Sequence, residues 1–123
     1  MPTIRMTVNG GDQLRRNLER LQGDERRRAQ ADGLEAGARV VETYAKLIVP
    51  TDTHFLQNSI QVDDVTPTEA IIAPHTEYAE HVEFGTERQA AQPYMRPALD
   101  EHEAEILDAV RATVAAFVES VRA

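Results

Sequence analysis

The sequence predicts an α+β domain: a small antiparallel sheet packed against two long helices, with a short helix and an extended loop before the C-terminal helix. Three observations carry this expectation. Apolar residues alternate with polar ones at Ile4, Met6 and Val8, and again at Ile60 and Val62 before Thr66-Pro67-Thr68, the period of two that marks half-buried strands, and a compact apolar run, Ala70 to Ala73, follows that turn. From residue 24 to 48 the period becomes that of a helix, and the stripe Ile106, Val110, Val114, Phe117 and Val121 repeats it near the C-terminus. A chain of 123 residues has room for one domain, residues 1–123, and a core at this size needs no metal or disulfide.

In order, the first element is a strand over Thr3 to Val8, ended by Asn9-Gly10-Gly11. Asp12 then caps a short amphipathic helix whose Leu14, Leu18 and Leu21 fall at i, i+4 and i+7. Gly23 interrupts it, and Asp24 starts a long helix, 24–48, with Leu34, Ala38, Val41, Ala45 and Ile48 on one face up to Pro50. Within it Arg26-Arg27-Arg28 reads as a solvated face, because three adjacent helical residues point around the cylinder rather than at one target. Ile60 and Val62 alternate with Gln61 and Asp63, and Ala70 to Ala73 is an apolar run stopped by Pro74, so the pair reads as a β-hairpin. Tyr78 to Gly85 fits a helix of one to two turns with Gly85 at its C′ position. Residues 86–96 have no period and read as a loop. Pro97 suits the first position of the last helix, 97–121, and Asp100, Glu101, Glu103 and Glu105 suit its positive end.

The charge is uneven. Net charge is −8, but residues 1–50 hold nine basic and seven acidic groups, while residues 51–123 hold four basic and fourteen acidic ones. A protein that grips phosphate shows a basic face, so tight DNA binding by the C-terminal half is not expected. There is no cysteine, which removes disulfides, thiolate metal sites and cysteine nucleophiles, and leaves a reducing cytoplasm as a suitable compartment. No apolar run reaches signal-peptide or membrane-span length, so no membrane partner is expected.

Catalytic motifs are equally scarce. His102-Glu103-Ala104-Glu105-Ile106 begins like the helical zinc-protease signature, but isoleucine stands where the second histidine must be. His81 and Glu83, near Glu77 and Glu80, are two apart and would face different sides of a helix. No Gly-x-Ser-x-Gly elbow and no glycine-rich phosphate loop is present. The expectation is no enzyme, no metal and no cofactor.

Four segments in order carry a resemblance: Pro50-Thr51-Asp52-Thr53-His54-Phe55-Leu56-Gln57-Asn58-Ser59-Ile60, Tyr78-Ala79, Val82-Glu83-Phe84-Gly85-Thr86, and Gln92-Pro93-Tyr94-Met95-Arg96-Pro97-Ala98-Leu99. Over about residues 50–100 the chain resembles the neck and tail-completion proteins, or minor tail components, of long-tailed bacteriophages and prophages. The opening strand, Asn9-Gly10-Gly11 and the Leu14/Leu18 helix agree with that family's usual start. One departure is His54, where the family usually has glycine after Asp-Thr.

The resemblance implies a structural virion protein of the head-to-tail junction, made in the host cytoplasm and lacking catalysis. It would form a homo-oligomeric ring between the connector or head-completion protein and the tail terminator or tail tube. DNA would pass nearby without sequence-specific binding. Physically, Asp52 or Thr53 would cap the turn that carries Leu56 inward, Tyr78, Val82 and Phe84 would anchor the short helix, and Gly85 would release the chain at positive φ. Pro93 and Pro97 would stiffen the loop. Glu83, Phe84, Thr86, Tyr94, Met95 and Arg96 are the candidate interface, with an ion pair of Glu83 and Arg96, within or between subunits, as its charged element. Tyr94 and Met95 have a second reading, as plugs of their own subunit's core. The competing functions are a prophage-encoded cytoplasmic interaction or regulatory module and, more distantly, a small hydrolase.

Overall fold

A computed structural model describes residues 2–9, 11–50 and 54–122. The elements run β1 Ile4–Met6, α1 Gly11–Glu19, α2 Gly23–Ile48, α3 Phe55–Ser59, β2 Gln61–Val65, β3 Ala70–Ala73, α4 Ala79–Phe84, α5 Met95–Asp100 and α6 Glu103–Arg122. The fold is α+β, as the alternating and helical periods predict. The sheet is antiparallel with strand order β1-β3-β2, so the hairpin partner β3 sits in the middle and both β1 and β2 are edges.

One layer of helices covers the sheet. Ile4 and Met6 of β1 and Ile72 of β3 meet Leu34, Ala38, Val41 and Ala45 of α2 in the main core. The two long helices pack antiparallel along each other, and small residues set their separation. A Cβ on Gly37 would lie 2.9 Å from Val110 Cγ2 and 3.1 Å from Met6 Cε, so the helices and β1 converge where α2 has no side chain. Two smaller clusters continue the seam, Leu14 with Val110 and Val114, then Leu21 and Ala29 with Val118.

Several expectations are corrected by this packing. Asp12 and Asp24 do not cap their helices from outside: each lies in the first turn, where its charge suits the helix dipole, and pairs with an arginine three residues on. The last helix is two elements rather than one of 97–121: α5 contains Pro97 at its third position, the chain breaks at Glu101 and His102, and α6 begins at Glu103. At the break the His102 ring stacks on Tyr44 of α2, centroids 3.5 Å apart and 5° from parallel. The buried stripe of α6 is Ile106, Val110, Val114 and Val118, because Leu21 and Ala29 meet the helix at Val118. Phe117 instead lies half-buried under the Arg28 guanidinium, 5.7 Å from its ring centre, and Val121 is exposed. On α2, Ile48 is exposed and Val49, just past the helix end, is buried in its place. Leu56 does turn inward, but on the one-turn helix α3.

Asp52 and Thr53 lie outside the described residues. The next residue, His54, has φ 60° and ψ −8°. That left-handed conformation is open to glycine at no steric cost, and histidine is among the few other residues that visit it with some frequency.

Candidate functional site

The predicted interface residues fall on one stretch, from α4 through the loop to α5, and a single side chain organises it. α4 is short, and its i, i+4 positions Ala79 and Glu83 define the face turned toward the protein. Glu83 is only 3% exposed, the one buried charged residue among those described. Its carboxylate accepts three backbone hydrogen bonds: Oε1 from the N–H of Tyr94 at 3.0 Å and of Met95 at 2.8 Å, and Oε2 from the N–H of Arg96 at 3.3 Å. These are the donors that the first turn of α5 leaves unpaired, and the N-cap residue Tyr94 makes no side-chain cap of its own. Glu83 therefore caps α5 from another helix, with its negative charge at the end where the helix dipole favours it.

This corrects the expected ion pair within the subunit. Glu83 meets the backbone of Arg96, while the Arg96 guanidinium points to Asp100 at 3.5 Å, an exposed pair one helical turn away. Tyr94 and Met95 have no exposure at all. Their side chains fill the main core, and the Tyr94 hydroxyl donates to the Ala79 carbonyl at 3.1 Å. In the folded subunit these two side chains sit in their own core, as the second of the two readings has them.

The loop between is tied at both ends. Gly85 takes φ 79°, and a Cβ there would lie 2.8 Å from the Ala91 backbone nitrogen, so the turn needs glycine twice over. The exposed Thr86 hydroxyl accepts from the N–H of Arg88 and Gln89, and Gln92 N–H donates to the Val82 carbonyl at 2.8 Å. Pro93 is exposed directly before Tyr94, and Pro97 is half-buried. Phe84 does not anchor α4. It is 65% exposed, next to Glu83 and turned away from the core, and Tyr78 is 38% exposed, so the anchors are Ala79 and the half-buried Val82.

Burial, then the nearby Glu83 carboxylate and then Tyr78, push the Tyr94 phenol up from the ordinary tyrosine value of 10.0. The folded state holds this proton more tightly than the unfolded chain does, so the stability it contributes is complete below the unfolded value and is lost as pH rises above it. Melting temperatures measured between about pH 8 and 11 are expected to fall more steeply for the parent than for Tyr94→Phe, which has no proton to lose there. Parallel curves would refute the coupling.

Sequence reasoning missed two further features. Tyr44 donates its hydroxyl to Glu105 Oε2 at 2.5 Å while stacking on His102, which fastens the start of α6 to α2. Leu47 and Phe55 are 70% and 73% exposed, at the end of α2 and the start of α3. Period alone could have flagged Leu47, which falls off the Ala38/Val41/Ala45 face. Among the described residues no group of three or more histidine, aspartate or glutamate side chains is gathered that could hold a metal, and no helix is long and apolar enough to cross a membrane.

The model of the HK97-gp10-like family, described as "Bacteriophage HK97-gp10, putative tail-component", matches residues 12–85, more than half of the chain. The chain belongs to this family. The match runs from α1 to Gly85, so it contains Glu83 and Phe84 and ends before the α5 backbone that Glu83 caps. It overlaps the neck and tail-completion resemblance of residues 50–100 over 50–85 and extends it toward the N-terminus. No curated protein and no solved structure matches the chain. As an HK97-gp10-like protein the chain is a bacteriophage tail component, a structural protein of the virion that works among other phage structural proteins.

Proposed function

We propose that this tail component is a non-catalytic subunit of the head-to-tail junction, assembling with copies of itself into a ring that joins the connector or head-completion protein to the tail terminator or tail tube. The observation that favours assembly is the exposure of Leu47, Phe55 and Phe84, each 65% or more in solvent, well beyond the 38–40% of Ile48, Tyr78 and Val121. Exposed apolar side chains gathered into a patch mark contacts with other molecules. A ring requires heterologous contacts, in which one surface of a subunit meets a different surface of the next. Phe84, Thr86 and Arg96 supply an exposed face at the α4 end, and Glu83, Tyr94 and Met95 act behind it by holding that face in shape. Cryo-electron microscopy of the intact particle is expected to place several copies around the tail axis at the neck. A single off-axis copy, or none, overturns the ring.

The acidic C-terminal half fits a protein that DNA passes without being gripped, since few cations are available to displace counterions from phosphate. Fluorescence anisotropy with labelled duplex at low salt is expected to show weak binding that vanishes as salt is raised. Submicromolar binding that resists salt would contradict this part of the reading.

A further inference from the structure

Of the three helices longer than two turns, α1 is the most lightly seated. It buries one side chain, Leu14, with Leu18 half-buried beside it, whereas α2 buries seven residues between Ala29 and Ala45. Leu14 and Leu18 rest on Val110 and Val114 of α6, in a cluster separate from the main core. Two depressions have Leu14 and Leu18 in their walls. One, of about 240 Å³, adds Leu34, Val110, Val114 and the hairpin tip at Pro67, and the other, of about 250 Å³, adds Asn9, Asp12 and Arg26. The helix therefore lies in its groove without filling it. The ion pair of Arg15 with Asp12 is exposed and internal to α1, so it does not fasten the helix to its neighbours.

The ends of this segment are built for release. Gly11 enters the helix at φ 77°, although a Cβ there would come no closer than 3.9 Å to a residue beyond its chain neighbours, so backbone freedom and not space is what glycine supplies. At the other end the helical pattern stops after Glu19, and Leu21 is buried separately against Ala29 and Val118. Met6 on β1 and Leu21 are thus fixed points on either side of α1, each 3% exposed. A nine-residue helix does not sustain itself without packing, so on leaving its seat it unwinds and regains chain entropy.

We propose that α1 is a releasable strap: residues 11–20 undock and unwind as one unit while β1 and Leu21 stay in place, baring the α6 surface at Val110 and Val114. Shut, the strap covers apolar surface that continues to Leu34 of α2. Open, it leaves that surface and a free arm carrying Leu14 and Leu18. Any contact made only by the open form shifts the balance toward it. The inference goes beyond the ring and does not depend on it.

The test uses the absence of cysteine from the chain, which makes an introduced thiol the only one. Val114→Cys places it beneath α1, and Val41→Cys places it in the main core, both at positions no more than 1% exposed. With an aromatic disulfide reagent, in the regime where reclosing outpaces reaction, the rate follows the open population. The Val114→Cys thiol is expected to react at least about tenfold faster than the Val41→Cys thiol, because the first waits for the strap and the second for global unfolding. Adding Leu14→Ala should speed the first by about tenfold or more and leave the second nearly unchanged. Hydrogen exchange on the parent chain gives a second reading that needs no cysteine. The amides of residues 15–19 should exchange with little dependence on denaturant, and those of residues 38–45 with the full dependence of global unfolding. Equal thiol rates, a Leu14→Ala effect of the same size at both positions or at neither, or one denaturant dependence shared by both sets of amides would overturn the proposal.

Discussion

A chain with both Tyr94 and Met95 replaced by serine is expected to lose most of its stability. Both side chains are fully buried in the main core, and serine leaves a cavity and brings a hydroxyl that needs a partner. Truncations of this kind cost about 2–5 kcal/mol each, against a total of roughly 5–15 kcal/mol for a domain of ordinary stability. The melting temperature should fall by on the order of 15–25 °C, or the cooperative transition should vanish. Joining of heads to tails would then fail with it, through loss of the fold rather than of a contact. An unchanged melting temperature with failed joining would show that these two side chains are docking residues after all. Arg96→Ala separates the two effects, because the Arg96 side chain is exposed and its removal should leave the melting temperature nearly unchanged. Lost joining in that variant would assign the guanidinium to a contact between subunits.

Glu83→Ala is expected to cost about 2–4 kcal/mol, because it strands the N–H groups of Tyr94, Met95 and Arg96 in a buried site with no other acceptor in reach on α5. Glu83→Gln should lie between parent and alanine variant. Its carbonyl can keep the two shorter bonds to Tyr94 and Met95, while its amide would face the Arg96 N–H donor to donor. Denaturant unfolding of the three proteins tests this order, and hydrogen exchange should show the loss concentrated in residues 85–100. Equal stability of the alanine variant and the parent would show that Glu83 does not hold α5.

These outcomes depend on a distinction visible along the whole chain. The strand at Ile4 to Met6, the long helix from Gly23 to Ile48, the hairpin about Thr66-Pro67-Thr68 and the left-handed exit at Gly85 are all legible in the residue pattern. Each is set by neighbours within a few residues: a period of two or of 3.6, a proline that cannot donate, a glycine that can take positive φ. Family membership is legible as well, because the ordered motifs between residues 50 and 85 are local signatures too.

The candidate site is legible only as a list of residues, and their roles go largely the other way. Glu83 and Phe84 are adjacent on α4 and so point about 100° apart. Polarity favours Phe84 as the inward residue, yet Glu83 is inside, because the start of α5 brings three unpaired donors to that spot from a part of the chain eleven residues away. The same cause lies behind the break before Glu103, where His102 meets Tyr44, and behind the choice of Val118 over Phe117, where Leu21 and Ala29 arrive from the far end of α2. Local residue order is enough to say which segments are helix or strand and where turns fall, since those follow from torsional preference and the solvent face of each segment. Which residue of an ambiguous pair is buried is settled by packing between distant segments, because a polar group goes inside when remote backbone supplies its hydrogen bonds, and no local pattern records where that backbone will be.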